Sequence, residues 1–331
     1  MKTENEILSI MSGTLGKGII EYISYKRALG KKIGRQQIYE LRNMYLFLES
    51  KSGSGILITR EIYEEWTSVK KGEKETTTHR RRVIMTGFAK YLVSVGYTGI
   101  YTGADDTRSF KSDFIPYIYT EKEIADIFKA IDRLCKEKPT YMNHTFQMMM
   151  QMYYCCGFRK NEVTNLRVKD VDFKTGKISV WNSKNNVSRI VVASESLLLK
   201  LQQYKTSFLY NADKEDYLFH GICKDYYDTQ AIYRRFHKIL DEAGIGRKAD
   251  GSRPRLHDLR HTFCVRTLER MPEKGFDLYT SLPLLSKYLG HSHITDTEYY
   301  LRMVESHYKE ILEKTQAYYP GLYGKEDDSD D

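Results

Sequence analysis

YLGHSHITDTEYYL, residues 288–301, sets a glycine after an apolar helix end, follows it with a short polar turn, and then places two adjacent tyrosines ahead of another apolar run. Alone, the stretch describes a helix, a turn and a helix with an ordinary aromatic core residue. Its information lies in the spacing, with Tyr300 nine residues after His291, and in three segments upstream of it.

The nearest of these is RLHDLRHTF, residues 255–263. His257 and Arg260 are three apart and share a helix face. That pairing suits a phosphate, since a guanidinium grips two oxygens as a fork and an imidazole moves a proton. His257 and His261, four apart, also have the spacing of a zinc pair, but the glutamate of that motif is missing and no third ligand presents itself. His261 otherwise reads as a buried histidine satisfied by the backbone. Further upstream, Ile178 to Trp181 and Arg189 to Val192 flank a polar turn, which makes a hairpin with Lys184 at its tip. Lysines at hairpin tips usually only solubilise. The first segment, GFRKNEV at 157–163, puts Arg159 just after a buried helix with Glu162 three positions on. Such an arginine is ordinarily a solvated residue or an ion-pair partner.

Around these segments the chain reads as mainly α with a small β-hairpin, in two domains. Its 331 residues exceed one ordinary domain. From about 15 to 100 the pattern is helical: Ile38, Leu41, Tyr45 and Leu48 step by three and four, as do Ile84, Phe88, Tyr91 and Leu92. Loops at 51–55 and 70–74 separate about four helices. An aperiodic polar stretch at 102–116 reads as a linker. The capping box Thr120 to Glu123 then opens a second domain ahead of Ile124, Ile127 and Ile131. Residues 144–156, HTFQMMMQMYYCC, are apolar nearly all round and predict a buried helix ending at Gly157. Further helices are expected at about 228–243, 256–271, 281–289 and 301–317, the third opened by Ser281 and Pro283 and ended by Gly290.

Net charge is +8, and because the last six residues carry five acids, residues 1–325 carry +13. A polyanionic partner, nucleic acid before membrane surface, fits that balance. Five cysteines, Cys135, Cys155, Cys156, Cys223 and Cys264, include no CxxC pair, which argues against a disulfide framework or a zinc ribbon. No apolar run approaches a membrane span or a signal peptide, so a soluble, cytoplasmic protein is expected.

Taken together and in this order, GFRKNE, HDLRH and LGHS with its tyrosine resemble the tyrosine recombinases of the phage-integrase type, over about 116–318. The region before it resembles that family's core-binding domain, above all TTTHRRR at 76–82 leading into Phe88 and Tyr91. The resemblance implies a helical core-binding domain at 1–105, a linker at 106–116, a catalytic domain at 117–318 and an acidic tail at 319–331. It implies that Arg159 is the first catalytic arginine, with Glu162 supporting it. Lys184 becomes the general acid, although Ser183 and Asn185 flank it where the family often has glycine, and Lys177 is a poor second choice. His257 and Arg260 become the His-x-x-Arg pair, His257 taking the phenolic proton; His291 becomes the third-box histidine and Tyr300 the nucleophile, preferred to Tyr299 by the spacing from His291.

The same resemblance implies cleavage and rejoining of double-stranded DNA through a 3′-phosphotyrosine, with no metal or nucleotide cofactor, by a homotetramer on paired sites, possible accessory recombinases assisting, in a mobile element. Arg80, Arg81, Arg82 and Lys90 become phosphate contacts. Only about 15 residues precede the helical region, too few for a further arm-site domain. The stripe Leu301, Val304, Tyr308, Ile311 and Leu312 could pack on its own domain, and docking on a neighbouring protomer is the favoured expectation. A type IB topoisomerase-like enzyme and a non-catalytic DNA-binding regulator are the alternatives.

Overall fold

The computed structural model describes residues 4–52, 55–103, 115–181, 187–221, 227–248, 250–301 and 303–304. The chain divides into two compact units, Met1–Phe114 and Ile115–Asp331. The linker stretch expected at 106–116 lies mostly outside the described residues.

Among the described residues the first unit has five helices: α1 (Glu4–Leu8), α2 (Gly13–Ala28), α3 (Arg35–Ser52), α4 (Arg60–Thr67) and α5 (Glu75–Ser94). The three-and-four spacing along α3 puts Ile38, Leu41, Tyr45 and Leu48 on one face, each at most 2% exposed, in one core with Phe88 and Leu92 of α5. Helix α1 escapes a periodicity reading because five residues are less than two turns, yet its Ile7 is fully buried.

Arg81 departs from the expected role. Its guanidinium lies inside the unit, 8% exposed, where it pairs with Glu73, donates to the Ser68 carbonyl at 2.8 Å and bonds the Trp66 carbonyl. The α5 periodicity turns position 81 inward while Arg80 and Lys90 stay exposed and Arg82 half-buried; Arg80 also pairs with Glu40 at 2.6 Å. Arg81→Ala leaves the Trp66 and Ser68 carbonyls without the guanidinium that bonds them and is expected to destabilise this unit by about 1–3 kcal/mol. Chemical denaturation of the variant beside Arg82→Ala checks this; equal midpoints for the two would refute it.

The second unit runs α6 (Glu121–Glu137), α7 (Tyr141–Cys156), α8 (Lys160–Asn165), a 3-10 turn (Val168–Asp170), β1 (Lys177–Val180), β2 (Arg189–Val192), α9 (Glu195–Phe208), α10 (Thr229–Glu242), α11 (Asp258–Glu273), α12 (Leu278–Leu289) and α13 (Thr295–Leu301). Helix α7 is its centre. Phe146, Met149, Met150 and Met152 are fully buried, and the helix packs on α6, α9 and α11. At the head of α6 the Thr120 hydroxyl accepts from the Glu123 amide at 3.2 Å while the Glu123 carboxylate accepts from the Thr120 amide at 2.8 Å. Strands β1 and β2 pair antiparallel, Lys177 against Val192 and Val180 against Arg189.

Several boundaries differ from expectation. Helix α9 is additional: Ser194 caps it and Leu197, Leu201 and Tyr204 are its buried face, but three consecutive leucines blur the period that would announce it. Strand β1 stops before Trp181, whose indole donates to Asp170 at 3.0 Å. Helix α11 begins at Asp258, leaving His257 at its N-cap position. Helix α12 begins at Leu278, not Ser281, because the Asp277 carboxylate accepts from the Thr280 amide at 2.8 Å and supplies a cap upstream; Pro283 then falls inside the helix. The helix expected at 301–317 lies almost wholly outside the described residues, as does the acidic tail. Of the apolar stripe, Val304 is buried in its own unit's cluster with Leu282, Leu285 and Leu289, and Leu301 packs against that cluster; Tyr308, Ile311 and Leu312 lie outside the described residues.

Candidate active site

Two helices end in left-handed glycines, and both ends feed one site. Gly157 closes α7 at φ 61° and Gly290 closes α12 at φ 67°, a backbone region that glycine enters without a Cβ penalty. At Gly157 there is no room for a side chain either, since a Cβ would sit 2.4 Å from the Phe263 ring. The carbonyls at such ends have no partner within the helix and carry the negative end of its dipole. Here arginines take them up. The Tyr288 carbonyl accepts from Arg189 Nε at 2.6 Å, the Leu289 carbonyl from Arg260 Nη2 at 2.7 Å and the Gly290 carbonyl from Arg159 Nη2 at 2.8 Å. Arg260 Nη1 also donates to the Gly157 carbonyl at 2.6 Å.

These guanidiniums share one carboxylate, Glu162. Its oxygens accept both outer nitrogens of Arg189 at 2.8 Å, and Arg159 Nη1 at 2.9 Å, and lie 4.0 Å from Arg260. Glu162 also accepts from the Arg159 amide at 2.8 Å. The residues are sunk in the protein: Arg260 is 1% exposed and Glu162 7%. Burial, and then the charge of Arg159, lower the Arg260 pKa to about 10, so it stays cationic at neutral pH. Three guanidiniums to one carboxylate leave an excess of positive charge in a low-dielectric place, which is the electrostatic requirement for holding an anion.

Beside this cluster stand Tyr300 and three histidines. Arg260 Nη2 donates to His291 Nε2 at 3.1 Å, and His291 Nδ1 bonds the Thr297 hydroxyl at 2.7 Å. Because arginine only donates, His291 here is neutral with its proton on Nδ1, and it must take a proton on Nε2 before that nitrogen can donate. Tyr300 is 4% exposed, its ring stacked 6.3 Å from that of His291. Its hydroxyl lies 2.8 Å from His261 Nδ1. Burial first, and the neighbouring Cys264 thiol second, push the phenol pKa far above its usual value, while Arg260 and Arg159 pull the other way. The His257 ring meets His261 edge-on at 4.8 Å and is itself exposed at the rim. His261 is depressed to about 3, by desolvation first and then by Arg255, and His257 is pushed in the same direction, by desolvation first and then by His261. They are neutral at physiological pH.

The structure thus brings Arg159, Glu162, Arg260, His291 and Tyr300 together, with His257 at the edge. Lys184 lies outside the described residues, and Lys177 is the first residue of β1. Sequence reading missed Arg189, His261 and Thr297. An arginine opening the β-branched run RIVV was the available signal for Arg189; His261 had none beyond its place one turn after His257. Among the described residues no cluster of His, Cys, Asp and Glu suits a metal ion, and no helix is long and apolar enough to cross a membrane.

The sequence profile of the phage integrase family matches residues 118–307, which contain this whole site. The chain belongs to that family. It is a tyrosine recombinase, one of a class of enzymes that cut and rejoin DNA. A Sinorhizobium fredii protein described as an integrase/recombinase, y4rB, is 27% identical over 92% of this chain and 97% of its own length. A tyrosine recombinase of Pseudothermotoga lettingae is 31% identical, over 52% of this chain and 54% of its own. Among solved structures, XerH site-specific recombinase bound to palindromic difH substrate has a TM-score of 0.64 at 17% identity, covering 83% of this chain and 77% of that one. At that identity the likeness establishes the integrase-family fold.

Proposed function

We propose that this integrase-family chain is a site-specific recombinase in which Tyr300 attacks a DNA phosphodiester, forming a 3′-phosphotyrosine and releasing a 5′-hydroxyl. The observation that carries the reading is a buried phenol, hydrogen-bonded to a neutral imidazole, beside three guanidiniums that share one carboxylate. An unperturbed phenol needs about 4 kcal/mol to ionise at pH 7, and burial raises that requirement here. A cationic site and a base must offset it. Arg159 and Arg260 clamp the non-bridging oxygens, where charge grows in the transition state, and His291, once protonated on Nε2, adds a hydrogen bond. His257 and His261 are the two imidazoles able to take the phenolic proton. Lys184 protonates the departing 5′-oxygen.

The ester stores the energy of the broken bond, so rejoining to another strand requires neither nucleotide nor metal. Arg80, Arg82 and Lys90 of the first unit contact phosphates; Arg81, committed to Glu73, does not. We assign the working form to a homotetramer on paired duplex sites, acting with the DNA of a mobile element in the cytoplasm, where accessory recombinases can join it. The domains implied by the sequence, 1–105 and 117–318, take the DNA-gripping and chemical roles respectively.

Two labelled duplexes carrying the DNA that flanks the coding region, incubated with the protein in excess chelator, test this. Joined hybrid strands with a covalent intermediate are expected. Relaxation of supercoils without hybrid strands, or loss of cleavage on chelation with binding intact, would contradict it.

A further inference from the structure

His261 is the next turn of α11 after His257, and the N-cap position of His257 tips that ring to the rim while His261 points into the site. The difference decides which imidazole meets the phenol. His261 Nδ1 is 2.8 Å from the Tyr300 hydroxyl, a normal length for transfer of a proton along a hydrogen bond. His257 meets His261 instead, and His291 has one nitrogen on Arg260 and the other on Thr297.

We propose that His261 is the catalytic base that takes the phenolic proton from Tyr300. The inference rests on reading Tyr300 as the nucleophile. In the step, the Tyr300 O–H bond breaks and its proton passes to His261 Nδ1 as the phenolic oxygen bonds to phosphorus. The bond from phosphorus to the 5′-oxygen breaks, its electron pair staying on that oxygen, which Lys184 protonates. His261 is neutral before the step, so its Nδ1 lone pair is available when the ring carries its proton on Nε2. The nearby arginine charge opposes an imidazolium; a phosphate seated on those arginines counters it, so the proton affinity of His261 rises only with substrate in place.

The test measures covalent adduct formation on nicked duplexes carrying either the ordinary 5′-oxygen or a bridging 5′-sulfur, which needs no acid to leave. His261→Ala is expected to lose roughly 10²–10⁴-fold on both substrates, with the remaining rate rising about tenfold per pH unit from 7 to 9 as hydroxide takes the Tyr300 proton in place of the imidazole. His261→Gln, which keeps an acceptor for the phenol but cannot carry its proton away, is expected to fail equally and serves if the alanine variant does not fold. His257→Ala should lose less than either. A rate in His261→Ala equal to or above that of the parent, rescue of the loss by the 5′-sulfur, a pH-independent residual rate, or full activity in His261→Gln would each overturn the assignment. No adduct from the unsubstituted protein, or full adduct from Tyr300→Phe, would instead remove the reading of Tyr300 on which it stands.

Discussion

Tyr300→Phe is expected to abolish the covalent protein–DNA adduct, while Tyr299→Phe retains it. Successive helix residues point about 100° apart, and in α13 the two phenols face different surroundings. Tyr300 is 4% exposed and bonded to His261, whereas Tyr299 is 36% exposed. The Tyr300 hydroxyl stands in the field of Arg260 and Arg159, which favours its ionised form. Phenylalanine keeps the ring against its cluster and removes the attacking oxygen, so DNA affinity should hold and stability should fall by no more than one hydrogen bond, about 1 kcal/mol. Denaturing gels of a nicked substrate read the adduct directly. Loss in Tyr299→Phe alone would move the nucleophile by one residue.

Glu162→Ala is the second large effect. The carboxylate is the shared counter-charge of Arg159 and Arg189 and stands near Arg260, so its removal leaves buried cations facing one another. Breaking a buried pair in this way costs about 3–5 kcal/mol. Adduct formation should fall as well, on the order of 10²-fold or more, the scale of losing one transition-state donor, because Arg159 loses the contact that orients it. Glu215→Ala is the control: its pair with Lys169 is 63% exposed on the carboxylate side, and such surface pairs contribute little. A Glu162→Ala protein that melts with the Glu215→Ala protein would show that the charges are solvated after all.

Much of this was readable before any coordinates. Helices with long apolar faces, such as α3 and α7, announce themselves, and the motif residues Arg159, Arg260, His291 and Tyr300 converge although up to 141 positions separate them. What escaped depends on three dimensions. Arg189 looks like a strand residue, and its role appears only when β2 is laid beside the end of α12. His261 and His257 differ by one helical turn, and α11 begins at Asp258, two residues after the expected 256, which leaves His257 outside the helix while His261 lies within it. Arg81 sits in a basic run that reads as surface, but its neighbours Trp66 and Glu73 enclose it.

The end of α12 has an implication for how this enzyme can change. Arginines at 159, 189 and 260 fasten this end through three successive main-chain oxygens. Positions 288 and 289 can therefore vary in their side chains, within packing limits, without disturbing the anchors, whereas a Cβ at 290 would meet the Arg189 side chain at 3.1 Å. An insertion or deletion of one residue between Leu278 and Leu289 is another matter. It turns the terminus by about 100° and shifts it by about 1.5 Å, so all three anchors slip in one stroke. Helix length, more than helix sequence, is the quantity under constraint here, and inactive variants should cluster as frame-preserving indels in α12.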